Sequence, residues 1–231
     1  RVVRPGAWDA IAYVAARIAG GLEALHTAGV AHGDLKPHNI LVVPPEGTGR
    51  PRDVRLVDFG LAVFAGSGAV GHRGTPGYTA PEVVAGASPD PAADLYALGA
   101  TLFALATGRA PFENSDLPAM LRRQQAGPPS ALPLEEAGAP QGWIRLILHL
   151  MSTLPAERPR NATEVRRTIE QLAPAARVPL SARIQSDTLV GRERELARLE
   201  RAWRRARRGA RSLVMAGESG IGKSALLDAF A

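Results

Sequence analysis

His32-Gly33-Asp34-Leu35-Lys36-Pro37-His38-Asn39 runs without a break into the apolar stretch Ile40-Leu41-Val42-Val43. This join of a charged loop to a short strand decides how the chain is read. A second apolar run, 54–57, lies beyond the Pro/Gly-rich segment 44–52, so the two runs read as a pair of short strands. Asp58-Phe59-Gly60 stands at the end of the second run, and Gly74-Thr75-Pro76-Gly77-Tyr78-Thr79-Ala80-Pro81-Glu82 follows. Between them, 60–79 is Gly-rich with little periodicity and is expected as an exposed loop. Upstream, Ile11, Val14, Ala15, Ile18, Leu22 and Leu25 recur at helical spacing, predicting a helix over 8–28 that Gly29 stops. Downstream, helices are predicted at 91–107, 116–126, 143–152 and 162–172.

The order and spacing of these motifs point to phosphoryl transfer. Moving a phosphoryl group from ATP needs an oriented nucleophile, Mg²⁺ on the triphosphate and neutralised charge on the group in flight. An Asp, a cation two residues on and an amide five residues on supply most of this. Asp34 can accept the proton of a substrate hydroxyl, Lys36 can meet the γ-phosphoryl, and Asn39 can ligate Mg²⁺ through its oxygen. Asp58 adds the hard carboxylate that Mg²⁺ prefers. Taken singly, Asp34 and Asp94 would be helix caps and Asn39 a turn residue. The ordered set overturns those readings for Asp34, Asn39 and Asp58.

Residues 1–173 resemble the large lobe of a eukaryotic-type serine/threonine protein kinase of bacterial kind, an α+β fold in which helices dominate. The resemblance implies further roles. Asp94 would brace the catalytic-loop backbone from a helix. Glu82 and Arg158 would form a buried ion pair tying the activation segment, which includes Gly60 and Thr75, to the lobe. Leu41 would floor the adenine, although an ordinary strand-core place fits it as well. His32 and Phe59 resemble the hydrophobic spine, and Lys36 with Thr75 fits the Ser/Thr-specific version, the Thr75 hydroxyl contacting Asp34.

Two departures bear on mechanism. Gly33 stands where the family commonly has an Arg that pairs with a phosphorylated activation loop, so activity is expected to be independent of phosphate at Ser67 or Thr75. His32-Gly33-Asp34 also resembles the loop of aminoglycoside-phosphotransferase-like kinases. The Gly74–Glu82 segment, which seats a protein substrate, decides for a protein kinase. No Gly-rich phosphate cover, strand Lys or paired Glu precedes Asp34, so residues 1–173 are expected to be catalytically incomplete alone. A pseudokinase scaffold is the alternative, with a nucleotide switch elsewhere as the active module.

Gly217-Glu218-Ser219-Gly220-Ile221-Gly222-Lys223-Ser224 matches the phosphate-cradling spacing G-x-x-x-x-G-K-[ST]. The apolar run 213–216 precedes it and a helical pattern follows, as the strand–loop–helix context requires. Gly217, Gly220 and Gly222 let backbone N–H groups turn toward phosphate, Lys223 reaches the β- and γ-phosphates, and Ser224 ligates Mg²⁺. With Leu189-Val190-Gly191-Arg192-Glu193 and a helix over 192–208, residues 188–231 resemble the opening of an AAA- or signalling-type α/β P-loop ATPase. Residues 174–187 have linker composition.

Composition fits this division. The 231 residues hold 28 Lys+Arg, 22 Asp+Glu and no Cys, which excludes disulfide scaffolds, Cys-ligated zinc and thiol catalysis. The net charge of +6 concentrates in 157–211, with 15 cations against 7 acids. Leu196, Leu199 and Trp203 recur opposite those charges and no aromatic series interleaves them. A solvated helix face is therefore favoured over nucleic-acid binding through 201–211. Of the 28 cations only Lys36 and Lys223 are lysines, and both fall on phosphate-facing positions. No signal peptide or spanning segment occurs, the stretch 95–107 being too short to cross a bilayer, so a cytoplasmic location is expected. A first residue Arg1 and a last residue inside an amphipathic pattern lead us to expect an internal fragment.

Overall fold

Alternating apolar and small residues in the first helix set the frame for everything else. The computed structural model describes residues 7–44, 51, 53–58, 63–64, 75–112 and 116–176, all in the unit Arg1–Arg177. Helix α1 (Trp8–Thr27) buries Ile11, Val14, Ala15, Ile18 and Leu22 on one stripe. Helix α3 (Pro91–Thr107) is the core of the unit, buried on every side from Ala93 to Phe103. An apolar helix of this kind has no solvent face to offer. Asp90 caps it, accepting from Ala93 N at 2.8 Å, and Pro91 fills a first-turn position that has no backbone donor to satisfy.

Helix α6 (Gln141–Leu150) lies against α3 at Gly99, where an added Cβ would stand 2.7 Å from Met151 Cγ and 2.8 Å from Leu150 Cβ. Helix α7 (Ala162–Leu172), capped by Asn161, packs on α1. Arg166 fastens the two, donating from Nε to Glu23 Oε2 at 2.7 Å, and Thr163 donates to Glu23 Oε1 at 2.8 Å. Three further helices complete the described part: α2 (Pro81–Val84), α4 (Leu117–Ala126) and α5 (Leu132–Glu136).

The strands are few and short. β2 (Ile40–Val43) pairs antiparallel with β3 (Asp53–Leu56) in the register Ile40↔Leu56 to Val43↔Asp53. β1 (Val30–Ala31) pairs with β4 (Val63–Phe64). The α+β reading and the five longer helices hold, with boundaries shifted by a residue or two.

Two expectations need correction. The segment 60–79 is not wholly an exposed loop: Val63 and Phe64 pair with β1, and 75–79 is a hydrogen-bonded turn with Gly77 buried. Two-residue strands and single turns fall below the length at which periodicity speaks, which is also why α2 and α5 went unpredicted. The segment 174–187 is not linker from its start: Pro174–Ala176 form a 3₁₀ turn against α1 and α7 with Ala176 buried. Phe59, Gly60, Ser67, residues 177–187, the predicted helix at 192–208, the strand at 213–216 and the phosphate loop with Gly217, Gly220, Gly222, Lys223 and Ser224 lie outside the described residues. Among the described residues no helix is long and apolar enough to cross a membrane.

Candidate active site

The loop between β1 and β2 is short and carries five charged or polar side chains, His32, Asp34, Lys36, His38 and Asn39, so its backbone is held from outside. Asp94, one turn into α3 and 1% exposed, holds it. Its Oδ2 accepts from His32 N at 2.8 Å and its Oδ1 from Gly33 N at 2.9 Å. With Asp90 serving as the cap, Asp94 acts as a brace, as the resemblance implied. Gly33 has φ +78°, in the left-handed region where a side chain costs roughly 1–2 kcal/mol, so glycine suits this bend.

His26 is a site residue that sequence reasoning missed. Its Nε2 lies 2.8 Å from Asp94 Oδ2, and its Nδ1 is buried without a hydrogen-bond partner. A carboxylate only accepts, so the ring is held as the Nε2–H tautomer and donates to Asp94. The available signal was a histidine four residues after Leu22, in line with the buried stripe of α1.

Beyond the brace, the loop closes on itself. A single 3₁₀ turn over Pro37–Asn39 swings Asn39 back beneath Asp34, where its Nδ2 donates to Asp34 O at 2.8 Å and Oδ2 at 3.1 Å. Lys36 Nζ donates to Asp34 Oδ2 at 2.6 Å and to Thr75 Oγ1 at 2.7 Å. The Thr75 hydroxyl donates in turn to Asp34 Oδ1 at 3.0 Å. Asp34, Lys36 and Thr75 thus form a closed triangle whose third corner comes from 41 residues away in sequence. The expected contact of the Thr75 hydroxyl with Asp34 is present.

Asp58 is positioned through the backbone: Val57 N donates to Asn39 O at 3.0 Å, registering the end of the second strand against the loop. Asp58 itself has φ +63°, the one non-glycine residue with positive φ among those described. Aspartate tolerates that region better than most residues, and strain of this kind gathers at functional sites. Leu41 is 55% exposed, which removes the strand-core alternative and leaves an apolar surface one residue beyond β2's first pair.

A second cluster lies behind the first. Arg158 meets Glu82 through two bonds, Nη1 to Oε1 at 2.6 Å and Nη2 to Oε2 at 2.8 Å. It also donates to the carbonyls of Ser152, Ala92 and Thr153, and stacks 5.0 Å above the centre of the Tyr96 ring. The guanidinium is fully buried while the Glu82 side chain keeps 21% exposure, so the pair is buried on its cationic side only. Burial pushes the Tyr96 hydroxyl well above its ordinary range. The structure therefore brings together Asp34, Lys36, Asn39, Thr75 and Asp94, and pairs Glu82 with Arg158.

Comparisons with known proteins agree with this geometry. The family described as protein kinase domain matches residues 7–168, and that described as AAA ATPase domain matches 188–231. The serine/threonine-protein kinase PknK of Mycobacterium bovis is 38% identical over 164 residues, covering 68% of this chain and 14% of that protein. PkaB of Streptomyces coelicolor is 37% identical over 172 residues, covering 72% of this chain and 40% of its own. Pkn1 of Myxococcus xanthus is 34% identical over 184 residues, or 78% of this chain and 26% of its own. The chain thus spans less than half the length of each of these relatives. A braced catalytic loop, its threonine-closed aspartate and a match over most of the length lead to one assignment: the chain belongs to the protein kinase family, with an AAA-type ATPase segment following the kinase part.

Proposed function

We propose that the protein containing this chain is a serine/threonine protein kinase that moves the γ-phosphoryl of ATP to protein hydroxyls. It would be a multidomain signalling protein of the cytoplasm, with the kinase large lobe to residue 176, a linker over 177–187 and a P-loop ATPase module from 188. The triangle of Asp34, Lys36 and Thr75 carries the reading, because it aims a carboxylate and an ammonium at one point.

In this reading Asp34 takes the proton of the substrate hydroxyl as its oxygen bonds to the γ-phosphorus. The bond from that phosphorus to the β–γ bridging oxygen breaks, and ADP leaves. Lys36 neutralises the phosphoryl group in passage. Asn39 and Asp58 suit Mg²⁺: both Asn39 hydrogen bonds come from Nδ2, which leaves the hard Oδ1 as the ligand atom. Bound there, Mg²⁺ would neutralise charge on the triphosphate; Asp34, Lys36 and Thr75 orient the reacting groups.

The test is labelled-phosphate transfer to a protein substrate by the full-length protein. Asp34→Asn should lower the rate by about 10²-fold or more, the scale of general-base catalysis. Transfer unchanged in that variant would refute the proposal.

A further inference from the structure

The turn 75–80 is held from two sides, and only one of them belongs to the triangle. The Thr75 carbonyl accepts from Tyr78 N at 3.1 Å, Thr79 N at 3.2 Å and Thr79 Oγ1 at 2.9 Å, so Thr75 and Thr79 move as one body. On the far side, Gln124 of α4 donates from Nε2 to the Thr79 carbonyl. Gln124 is 1% exposed, and with Met120 it makes up the whole buried face of α4. Met120 serves the same turn, its Sδ 3.9 Å from where a Cβ on Gly77 would stand. Four residues after Met120, a leucine would pack without a polar group to satisfy; an amide there carries a desolvation cost, offset by this bond and by the Tyr96 hydroxyl that Gln124 also faces. Thr79 also lines the same small pocket as Asp34, Leu35 and Ala80.

We propose that Gln124 is a positioning residue for the protein substrate. Its amide fixes the turn 75–80 against the catalytic loop, and it governs engagement of the polypeptide and not of ATP. This rests on the kinase reading above.

The experiment compares wild type, Gln124→Met and Gln124→Asn in the full-length protein, with Asp34→Asn beside them. Methionine keeps the volume and removes the donor; asparagine keeps the donor and shortens its reach, and serves if the first variant does not fold. Both should raise KM for the protein substrate about tenfold while KM for ATP stays within about twofold. Hydrogen exchange at the Tyr78 and Thr79 amides should quicken in both. An unchanged protein KM, or an ATP KM that rises in parallel, overturns the proposal. If Asp34→Asn transfers phosphate like wild type, the kinase reading fails instead. The exchange rates then decide alone whether Gln124 grips the turn, and unchanged rates reject it.

Discussion

Replacing Asp94 with asparagine tests the brace without relying on activity. The carboxylate accepts three bonds in a place 1% exposed: His32 N at 2.8 Å, Gly33 N at 2.9 Å and His26 Nε2 at 2.8 Å. Asparagine offers one oxygen and one NH₂. With the oxygen toward His32 and His26, the NH₂ confronts the Gly33 N–H. Turned over, it confronts the His32 N–H, and His26 must shift its proton to the buried, partnerless Nδ1. Either way one backbone donor is stranded, costing about 1–3 kcal/mol, and the surviving bonds lose their charge assistance, roughly 1 kcal/mol each. The expected loss is therefore about 3–5 kcal/mol. For a domain of this size it corresponds to a fall in Tm of roughly 6–20 °C. Denaturant unfolding of the full chain measures the loss, and amide exchange locates it: the His32 and Gly33 amides should quicken far more than those of α3. A loss below about 1 kcal/mol, or exchange unchanged at those two amides, would refute the reasoning.

Arg158→Met removes a buried cation and strands the Glu82 carboxylate together with three carbonyls; stability should fall by about 3–5 kcal/mol in chemical denaturation. Gly99→Ala drives a methyl into Met151 and Leu150 at distances under 3.0 Å, and should cost about 1–3 kcal/mol by the same measurement. Burial opposes ionisation of Asp53, but hydrogen bonds from Arg55, Val54 and Arg17 outweigh it and hold the carboxyl below its ordinary value of 3.8. A lowered carboxyl contributes stability above that ordinary value and loses it as pH falls through the depressed one. Asp53→Asn should accordingly flatten the acid limb of the stability profile below about pH 4, while wild type declines there.

How much of this was legible follows the physics of each element. α1, α6 and α7 repeat apolar residues over about three turns or more, and α3 carries a long, nearly continuous apolar run; signals of that length survive in sequence. That Asp34 and Asn39 belong to one loop was readable because the chemistry fixes residue type and spacing together, whereas the brace by Asp94 was an expectation from the resemblance alone. His26 and Gln124 were not readable, since each acts on a partner 68 or 45 residues away and neither sits in a spaced motif. The pairing of Val63 and Phe64 with Val30 and Ala31 was invisible for a related reason: a two-residue strand owes its place to tertiary context and not to propensity. Leu41 shows the converse: pattern gave it a strand-core place, and its 55% exposure takes that place away.

The distances along the chain between partners in the candidate site carry a consequence for how the molecule assembles. Asp34 waits on Thr75 across 41 residues, the loop amides on Asp94 across about 62, and Glu82 on Arg158 across 76. Each closure draws on chain entropy that local helix formation does not repay, so contacts of this reach come late in folding. The α1–α7 fastening through Glu23 and Arg166, 143 residues apart, closes a longer loop still, at a higher entropic cost by the same reasoning. Removing the chain beyond residue 157 would therefore strand the Glu82 carboxylate, a fault 76 residues away from its cause.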